Sequence, residues 1–207
     1  MLSYQTIERA ACDEFIERRS RFIGSVKPVQ TEEDAVSFIN EQRAKYWDAT
    51  HNVYAYSLRQ GNIRRYSDDG EPQGTAGIPT LDVLQKSGVT DAVVVVTRYF
   101  GGVLLGAGGL VRAYSHGASL ALQAGGVITM ELCATARLLC DYNQYGRVSA
   151  LIPAGGGVIE DTAFTDVVEI QFHIPGEQIP LLNRQLADAT CGEVRVEETG
   201  ERFVARR

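Results

Sequence analysis

Hydrophobic and polar positions follow two periodicities that divide the first part of the chain into short strands and helices. Runs rich in Val, Ile, Tyr and Phe are typical of strands, and apolar residues recurring every three or four positions indicate helices. The pattern predicts four strands, at residues 4–12, 21–29, 53–58 and 92–97. It predicts helices that begin after Thr31, after Thr75 and near Gly108, with the two threonines as helix caps. The strand at 92–97 is almost entirely apolar, so both of its faces are expected to be buried.

The last part of the chain has a different order of elements. The pattern predicts strand, helix, strand, strand, helix and strand, at residues 133–140, 143–152, 157–161, 167–174, 176–189 and 193–198. Apolar and polar residues alternate along 167–174, which indicates a sheet with one buried and one polar face. The βαββαβ order is that of the ferredoxin-like fold. We therefore expect an α+β protein of two domains, residues 1–131 and 132–207.

Charge is distributed unevenly between these two domains. The 207 residues carry a net charge of −6, which as a whole repels nucleic acid and anionic membranes. Residues 1–130 hold 13 Lys and Arg against 14 Asp and Glu, whereas residues 131–207 hold 7 against 12. An anion-binding site is therefore expected in the nearly neutral N-terminal domain. Four scattered cysteines without a CxxC pair indicate reduced thiols of a cytoplasmic protein, and no metal site is expected.

A glycine-rich segment, TRYFGGVLLGAGGLVRAYSHG at residues 97–117, is the first candidate for function. Backbone N–H groups that converge at the start of a helix, flanked by arginines, are typical of an anion or phosphate-backbone site. The candidate nucleic-acid or anion-binding residues are Arg98, Tyr99, Gly101, Gly102, Gly108, Gly109 and Arg112. The alternative is a tight turn packed against neighbouring backbone, with both arginines in salt bridges.

A polar loop, SDDGEPQGTAG at residues 67–77, is the second candidate. Its three closely spaced carboxylates fit three interpretations: a Mg²⁺ ligand set or general base, a solvated turn, or a latch that faces Arg98. The residues that this part of the site would contribute are His51, Asp68, Asp69, Glu71 and Thr75. No catalytic residue, metal ligand or cofactor is assigned, because the sequence pairs no base with a nucleophile. Whether the chain is an enzyme is left open, with a non-enzymatic role favoured.

Four motifs together resemble the IMPACT family, in its bacterial YigZ-type form. They are SRFIG at 20–24, HNVYAY at 51–56, SDDGEPQGTAGIPTL at 67–81 and VVVTRYFGGVLLGAGGLVRAY at 94–114. The resemblance implies an N-terminal α/β sandwich of the ribosomal-protein type, as in translation elongation factors, and a ferredoxin-like C-terminal domain. It also implies a link to translation, because eukaryotic relatives interfere with activation of the kinase that senses amino-acid starvation.

One function and two alternatives are expected from the residues and this resemblance. The expected function is a non-enzymatic, translation-associated regulator whose N-terminal domain binds RNA, the ribosome or a translation protein, with neither a membrane nor DNA as partner. The first alternative is a protein-interaction module without nucleic-acid binding, which the apolar residues 103–105 favour. The second is an enzyme that acts on a phosphorylated substrate.

Overall fold

The computed structural model describes residues 3–206, which form ten strands and five α-helices in two units. The strands are β1 (Ser3–Ile7), β2 (Ala11–Glu17), β3 (Ser20–Pro28), β4 (His51–Leu58), β5 (Ile63–Ser67), β6 (Ala92–Tyr99), β7 (Val127–Cys140), β8 (Val158–Phe164), β9 (Val168–Pro175) and β10 (Glu197–Ala205). The helices are α1 (Glu32–Lys45), α2 (Gly77–Lys86), α3 (Ala107–Gly125), α4 (Tyr142–Ala154) and α5 (Ile179–Thr190). One unit comprises residues 4–129, and the other comprises Ser3 together with residues 130–206.

The N-terminal unit is an antiparallel sheet covered by helices on both faces. Its strand order is β2-β3-β6-β4-β5, so β6 lies at the centre. Val94 and Val96 pack into the core shared with α2 and α3, whereas Val93 and Val95 pack into the core shared with α1. This alternation confirms that the central strand is buried on both faces, because successive side chains of a strand point in opposite directions.

Of the local predictions in this unit, one is confirmed and one is wrong, and one strand was not predicted. The side chain of Thr31 accepts a hydrogen bond from the backbone of Asp34 and caps α1, as predicted. The single strand predicted at 4–12 is instead two strands, β1 and β2, interrupted at residues 8–10. The short strand β5 was not predicted, because its sequence, IRRYS, is mostly exposed and lacks a continuous apolar run.

Helix α3 lies so close to the sheet that a side chain would clash at two of the contact positions, both of which are glycine. A Cβ on Gly24 of β3 would overlap the backbone carbonyl of Gly117 in α3. Gly117 in turn leaves space for Val96, since a Cβ there would lie 2.9 Å from Cγ1 of that valine. The two glycines therefore let the backbones of α3 and β3 come into direct contact, which positions the N-terminal end of α3 relative to the strand ends.

The C-terminal unit confirms the predicted ferredoxin-like fold. Its elements follow the order β7, α4, β8, β9, α5, β10, and its strands lie side by side as β10-β7-β9-β8, all antiparallel. Residues from both helices and one sheet face form its core, among them Val148, Ile152, Phe172 and Leu186. The last strand begins at Glu197 rather than at residue 193 as predicted. In the described part of the chain, no helix is both long and apolar enough to cross a membrane.

Candidate functional site

Arg98 and Glu71 form a buried ion pair that joins the two candidate segments. Nη1 of Arg98 donates to Oε1 of Glu71 at 2.6 Å, and only 5% and 8% of the two residues are exposed. The hydroxyl of Tyr114 in α3 donates to the same carboxylate oxygen at 2.7 Å. Arg98 also donates through Nη2 to the hydroxyl of Ser20 at 3.4 Å. A carboxylate of the acidic loop, that of Glu71, therefore faces Arg98, and a latch role for this contact stays a prediction.

The protonation of the groups around Glu71 follows from their contacts. Burial and the carboxylate of Glu71 raise the pKa of Tyr114 far above its ordinary value, so its hydroxyl remains a donor. Nδ1 of His51 lies 2.7 Å from the backbone carbonyl of Asp69, and a carbonyl only accepts, so Nδ1 carries the proton. Nε2 of His51 lies 3.8 Å from Oε1 of Glu71, so the ring borders the carboxylate of the buried pair.

Asp68 caps the start of α2 from outside the helix, whose N-cap residue is Ala76. Its carboxylate accepts backbone N–H groups of Gly74, Ala76 and Gly77 at 2.9, 3.1 and 2.8 Å. The predicted cap, Thr75, is wrong: its hydroxyl donates to the carbonyl of Pro72 at 2.7 Å instead. A carboxylate that reaches three amides at a helix start also interacts favourably with the helix dipole, and this outcompetes the adjacent hydroxyl.

Asp69 binds a different set of groups from those of its neighbour. It accepts from the backbone of Asn52 at 2.7 Å and from Nη2 of Arg43 at 2.8 Å. The three carboxylates of the loop therefore point to three separate partners. Among residues 3–206, no group of three His, Cys, Asp or Glu side chains is arranged to hold a metal ion.

Three of the residues assigned to anion binding are engaged within the protein. Arg98 is paired with Glu71, and the hydroxyl of Tyr99 donates to Asp48 at 2.7 Å, which raises the pKa of Tyr99. The backbone N–H of Gly101 donates to the hydroxyl of Ser20 at 3.2 Å. A Cβ on Gly101 would overlap the backbone carbonyl of Arg19, so this glycine serves close packing. A phosphate-binding role of these three residues stays a prediction.

The remaining assigned residues lie at the surface around the start of α3. Gly102 and Gly108 are exposed, Gly109 is half-buried and Arg112 is exposed. No side chain caps α3, whose first turn follows Gly106. Nη1 of Arg112 lies 3.9 Å from the position that a Cβ on Gly108 would take, so this guanidinium lies beside the first turn.

Sequence reasoning missed two arginines that the fold brings to this region. Arg18 and Arg19 form the turn between β2 and β3, with left-handed φ angles of 45° and 68°. Both are exposed, and neither has an ion-pair or hydrogen-bond partner for its guanidinium in the described part of the chain. Arg18 and Arg112 line the same cavity, of about 450 Å³. The doublet directly precedes the SRFIG motif, but its position beside the glycine-rich segment depends on strand pairing.

Family models match both units of the chain. Residues 18–122 match the Impact N-terminal domain, and residues 138–193 match a domain of unknown function, DUF1949. The chain belongs to the IMPACT family. The matched N-terminal range contains the buried Arg98–Glu71 pair, the Asp68 cap and the exposed arginines, so all of these lie in the part that defines membership.

Bacterial members of the IMPACT family match this chain over most of its length. It is 34% identical to YvyE of Bacillus subtilis (strain 168), over 95% of this chain and 91% of the relative. It is 39% identical to a Thermus thermophilus member, over 87% and 98%, and 34% identical to YigZ of Escherichia coli (strain K12), over 86% and 89%. A crystal structure of a hypothetical protein aligns with a TM-score of 0.61 at 32% identity, covering 95% of this chain and 97% of the other.

Proposed function

We propose that this IMPACT family member is a translation-associated regulator that binds RNA through its N-terminal unit. The proposed contact surface, here called the loop face, comprises Arg18, Arg19, Phe100, Leu104 and Arg112. The observation that carries the proposal is the set of three exposed guanidinium groups without intramolecular partners in the described chain. Arginine recognises phosphate through a rigid, bidentate fork, and single-stranded RNA presents phosphates in series.

Exposed apolar groups beside these arginines favour RNA over a simple anion. Phe100 is 46% exposed, and the centroid of its ring lies 5.4 Å from Cζ of the buried Arg98. An exposed aromatic ring next to phosphate-binding side chains provides a platform on which an unpaired base can stack. The link to translation rests on family membership and on the similarity to proteins named IMPACT, such as the Dictyostelium discoideum homolog at 37% identity over 48% of this chain.

Salt dependence of RNA binding tests this proposal. The full chain is titrated with a fluorescently labelled single-stranded RNA over a series of salt concentrations. Three phosphate contacts predict a slope of log affinity against log salt of about −2, since each contact to a single strand contributes about 0.7. Arg19→Gln and Arg112→Gln are each expected to make the slope less steep by about 0.7.

Arg64→Gln is the matched control for these substitutions. Arg64 is an exposed arginine on β5, the sheet edge opposite to β2, and its guanidinium has no ion-pair partner within residues 3–206. RNA affinity and slope should therefore stay unchanged in this variant. Absence of RNA binding at low salt, or equal effects of Arg112→Gln and Arg64→Gln, would contradict the proposal.

A protein surface of the ribosome is the second candidate for the loop face. Leu104 is 81% exposed and follows the partly exposed Val103, and exposed apolar residues of this kind mark protein contacts. Co-sedimentation with ribosomes distinguishes the two candidates. If RNA is bound, Arg112→Gln lowers co-sedimentation more than Leu104→Ser does. If protein is bound, Leu104→Ser lowers it while Arg112→Gln behaves as wild type.

A further inference from the structure

A cavity of about 450 Å³ lies between β2 and α3 of the N-terminal unit. Its apolar lining consists of Phe15, Ile16, Leu105 and Ala113. The Phe15 ring stacks on Phe22 with centroids 5.1 Å apart, which keeps the ring fixed. The volume falls within the range of about 300–1,000 Å³ of small-molecule sites, which combine apolar walls with a few polar groups.

The polar lining of this cavity is mostly basic. Arg18 enters from the turn after β2, and Arg112 and His116 lie one turn apart on α3. The imidazole of His116 packs edge-on against Phe15 at 4.5 Å, so its position is set by the same aromatic cluster. Glu17 is the one acidic side chain in the described lining. No ion pair joins Glu17 to either arginine, so both guanidinium groups remain available to an incoming anion.

The apolar and the basic residues that line the cavity together indicate the chemical class of its ligand. Two guanidinium groups at one cavity match a phosphate monoester or diester, which accepts several charge-assisted hydrogen bonds. Inorganic phosphate alone would leave the apolar residues of the lining without contacts. A phosphate attached to a flat, largely apolar ring would bring that ring into contact with them. Phe15 and His116 provide aromatic surfaces of the kind on which unstacked nucleobases rest.

We propose that this cavity binds one nucleotide, with its phosphate on Arg18 and Arg112 and its base against Phe15 and Leu105. The nucleotide is either a free nucleoside monophosphate or an unstacked nucleotide of bound RNA, and the second source rests on the proposed function. The carboxylate of Glu17 accepts hydrogen bonds from the base and so favours guanine, which presents two adjacent N–H donors. The substrate class thus assigned is a guanine nucleotide.

Titration of the full chain with guanosine monophosphate, uridine monophosphate and inorganic phosphate tests this site. Guanosine monophosphate is expected to bind more tightly than the other two. Arg112→Gln is expected to weaken its binding about tenfold through loss of a charge-assisted contact. His116→Glu places a negative charge at the cavity from an exposed residue of α3, and it is expected to weaken binding to a similar extent without affecting folding.

Matched controls separate the cavity from general surface charge. Arg64→Gln removes an exposed arginine at the opposite sheet edge, and Val36→Glu adds a carboxylate at a 47% exposed position on α1, which packs on the other sheet face. Both controls should bind guanosine monophosphate within about twofold of wild type, because neither lines the cavity. Unfolding curves of His116→Glu and Val36→Glu establish that both variants fold.

The outcomes distinguish this proposal from RNA binding as such. Guanosine monophosphate that binds no more tightly than inorganic phosphate, or equally in wild type and His116→Glu, overturns the cavity proposal. If labelled RNA still binds in that case, the proposed function stands alone. If the mononucleotide binds and RNA does not, the cavity takes a free nucleotide and the proposed function fails. RNA binding that guanosine monophosphate displaces, and that His116→Glu weakens, identifies RNA as the source.

Discussion

Nη1 of Arg98 lies 2.6 Å from Oε1 of Glu71, and this ion pair connects the acidic loop after β5 to the central strand β6. The hydroxyl of Tyr114 brings α3 to the same carboxylate oxygen. Two segments that each suggested a functional site are therefore joined by an internal polar network. The exposed arginines of the loop face lie outside this network.

The buried pair is expected to show strong coupling between its members. Arg98→Met alone leaves the carboxylate of Glu71 buried without its countercharge and should lower the free energy of unfolding by about 3–5 kcal/mol. Glu71→Gln keeps an acceptor for Tyr114 but leaves the guanidinium unpaired, with a loss of similar size. The double variant should be destabilised by clearly less than the two losses added together. Denaturant unfolding of the four proteins measures this, and additive losses would refute the coupling.

Asp68→Ala is expected to destabilise the protein through the start of α2. The substitution removes an acceptor from the N–H groups of Gly74, Ala76 and Gly77 and should cost about 1–2 kcal/mol. Asp82→Ala is the control within the same helix, since Asp82 makes only an exposed contact of 3.6 Å with Lys86. Its change in unfolding free energy should stay within about 0.5 kcal/mol. Equal, small effects of both changes would indicate a solvated turn instead.

Alanine at two glycines of the glycine-rich segment should have opposite effects. At Gly101 the new Cβ overlaps the backbone of Arg19, so a loss of about 1–3 kcal/mol in unfolding free energy is expected. At Gly108 the nearest atom is the mobile end of Arg112 at 3.9 Å, and the residue lies in the first turn of α3. Gly108→Ala should be neutral or stabilising by up to about 1 kcal/mol, because alanine restricts the unfolded chain. Thermal unfolding of both variants measures the contrast.

The stability of the protein should fall at alkaline pH partly through Tyr56. Burial, and then its 2.8 Å hydrogen bond to Glu32, raise the pKa of Tyr56 to about 12. The unfolded chain releases this proton near pH 10, so the stabilisation is complete below about pH 10 and is lost as the pH rises towards 12. Tyr56→Phe should make the fall in unfolding free energy between pH 10 and 12 less steep and remove a tyrosinate absorbance step near pH 12.

Tyr66→Phe provides the comparison for that titration. Tyr66 is 45% exposed, and its hydroxyl has no hydrogen-bond partner within residues 3–206. The variant should therefore retain both the absorbance step near pH 12 and the steep loss of stability above pH 10. If this variant instead loses the absorbance step near pH 12, as Tyr56→Phe is expected to do, the step does not belong to Tyr56.

Much of the fold could be predicted because its signals are local. The apolar run at Ala92–Val96 indicated a strand buried on both faces, and the alternation along β9 indicated one polar face. Thr31 and the acidic residues after it marked the start of α1. Strand β5 was missed because its pairing with β4, rather than its own composition, makes it a strand.

The candidate site could be predicted only in outline. Its two segments were identified from residue types, but the partner of each side chain lies far along the chain. Arg98 meets Glu71 across 27 positions and Ser20 across 78, and Asp68 reaches the backbone of Gly77 across nine. No periodicity encodes such distances, so an arginine assigned to phosphate could equally become half of a buried ion pair.

The sequence by itself determined the two-domain α+β organisation, the family and the segments rich in glycine and acid, since these depend on local pattern and residue identity. Only the tertiary structure decided which charged groups form buried ion pairs within the protein and which remain exposed at the surface. Burial distinguishes these groups. The guanidinium of Arg98 is removed from water and requires the carboxylate of Glu71 as its countercharge, whereas those of Arg18, Arg19 and Arg112 remain exposed to water. Desolvation depends on what packs around a group, and packing is a property of the folded chain.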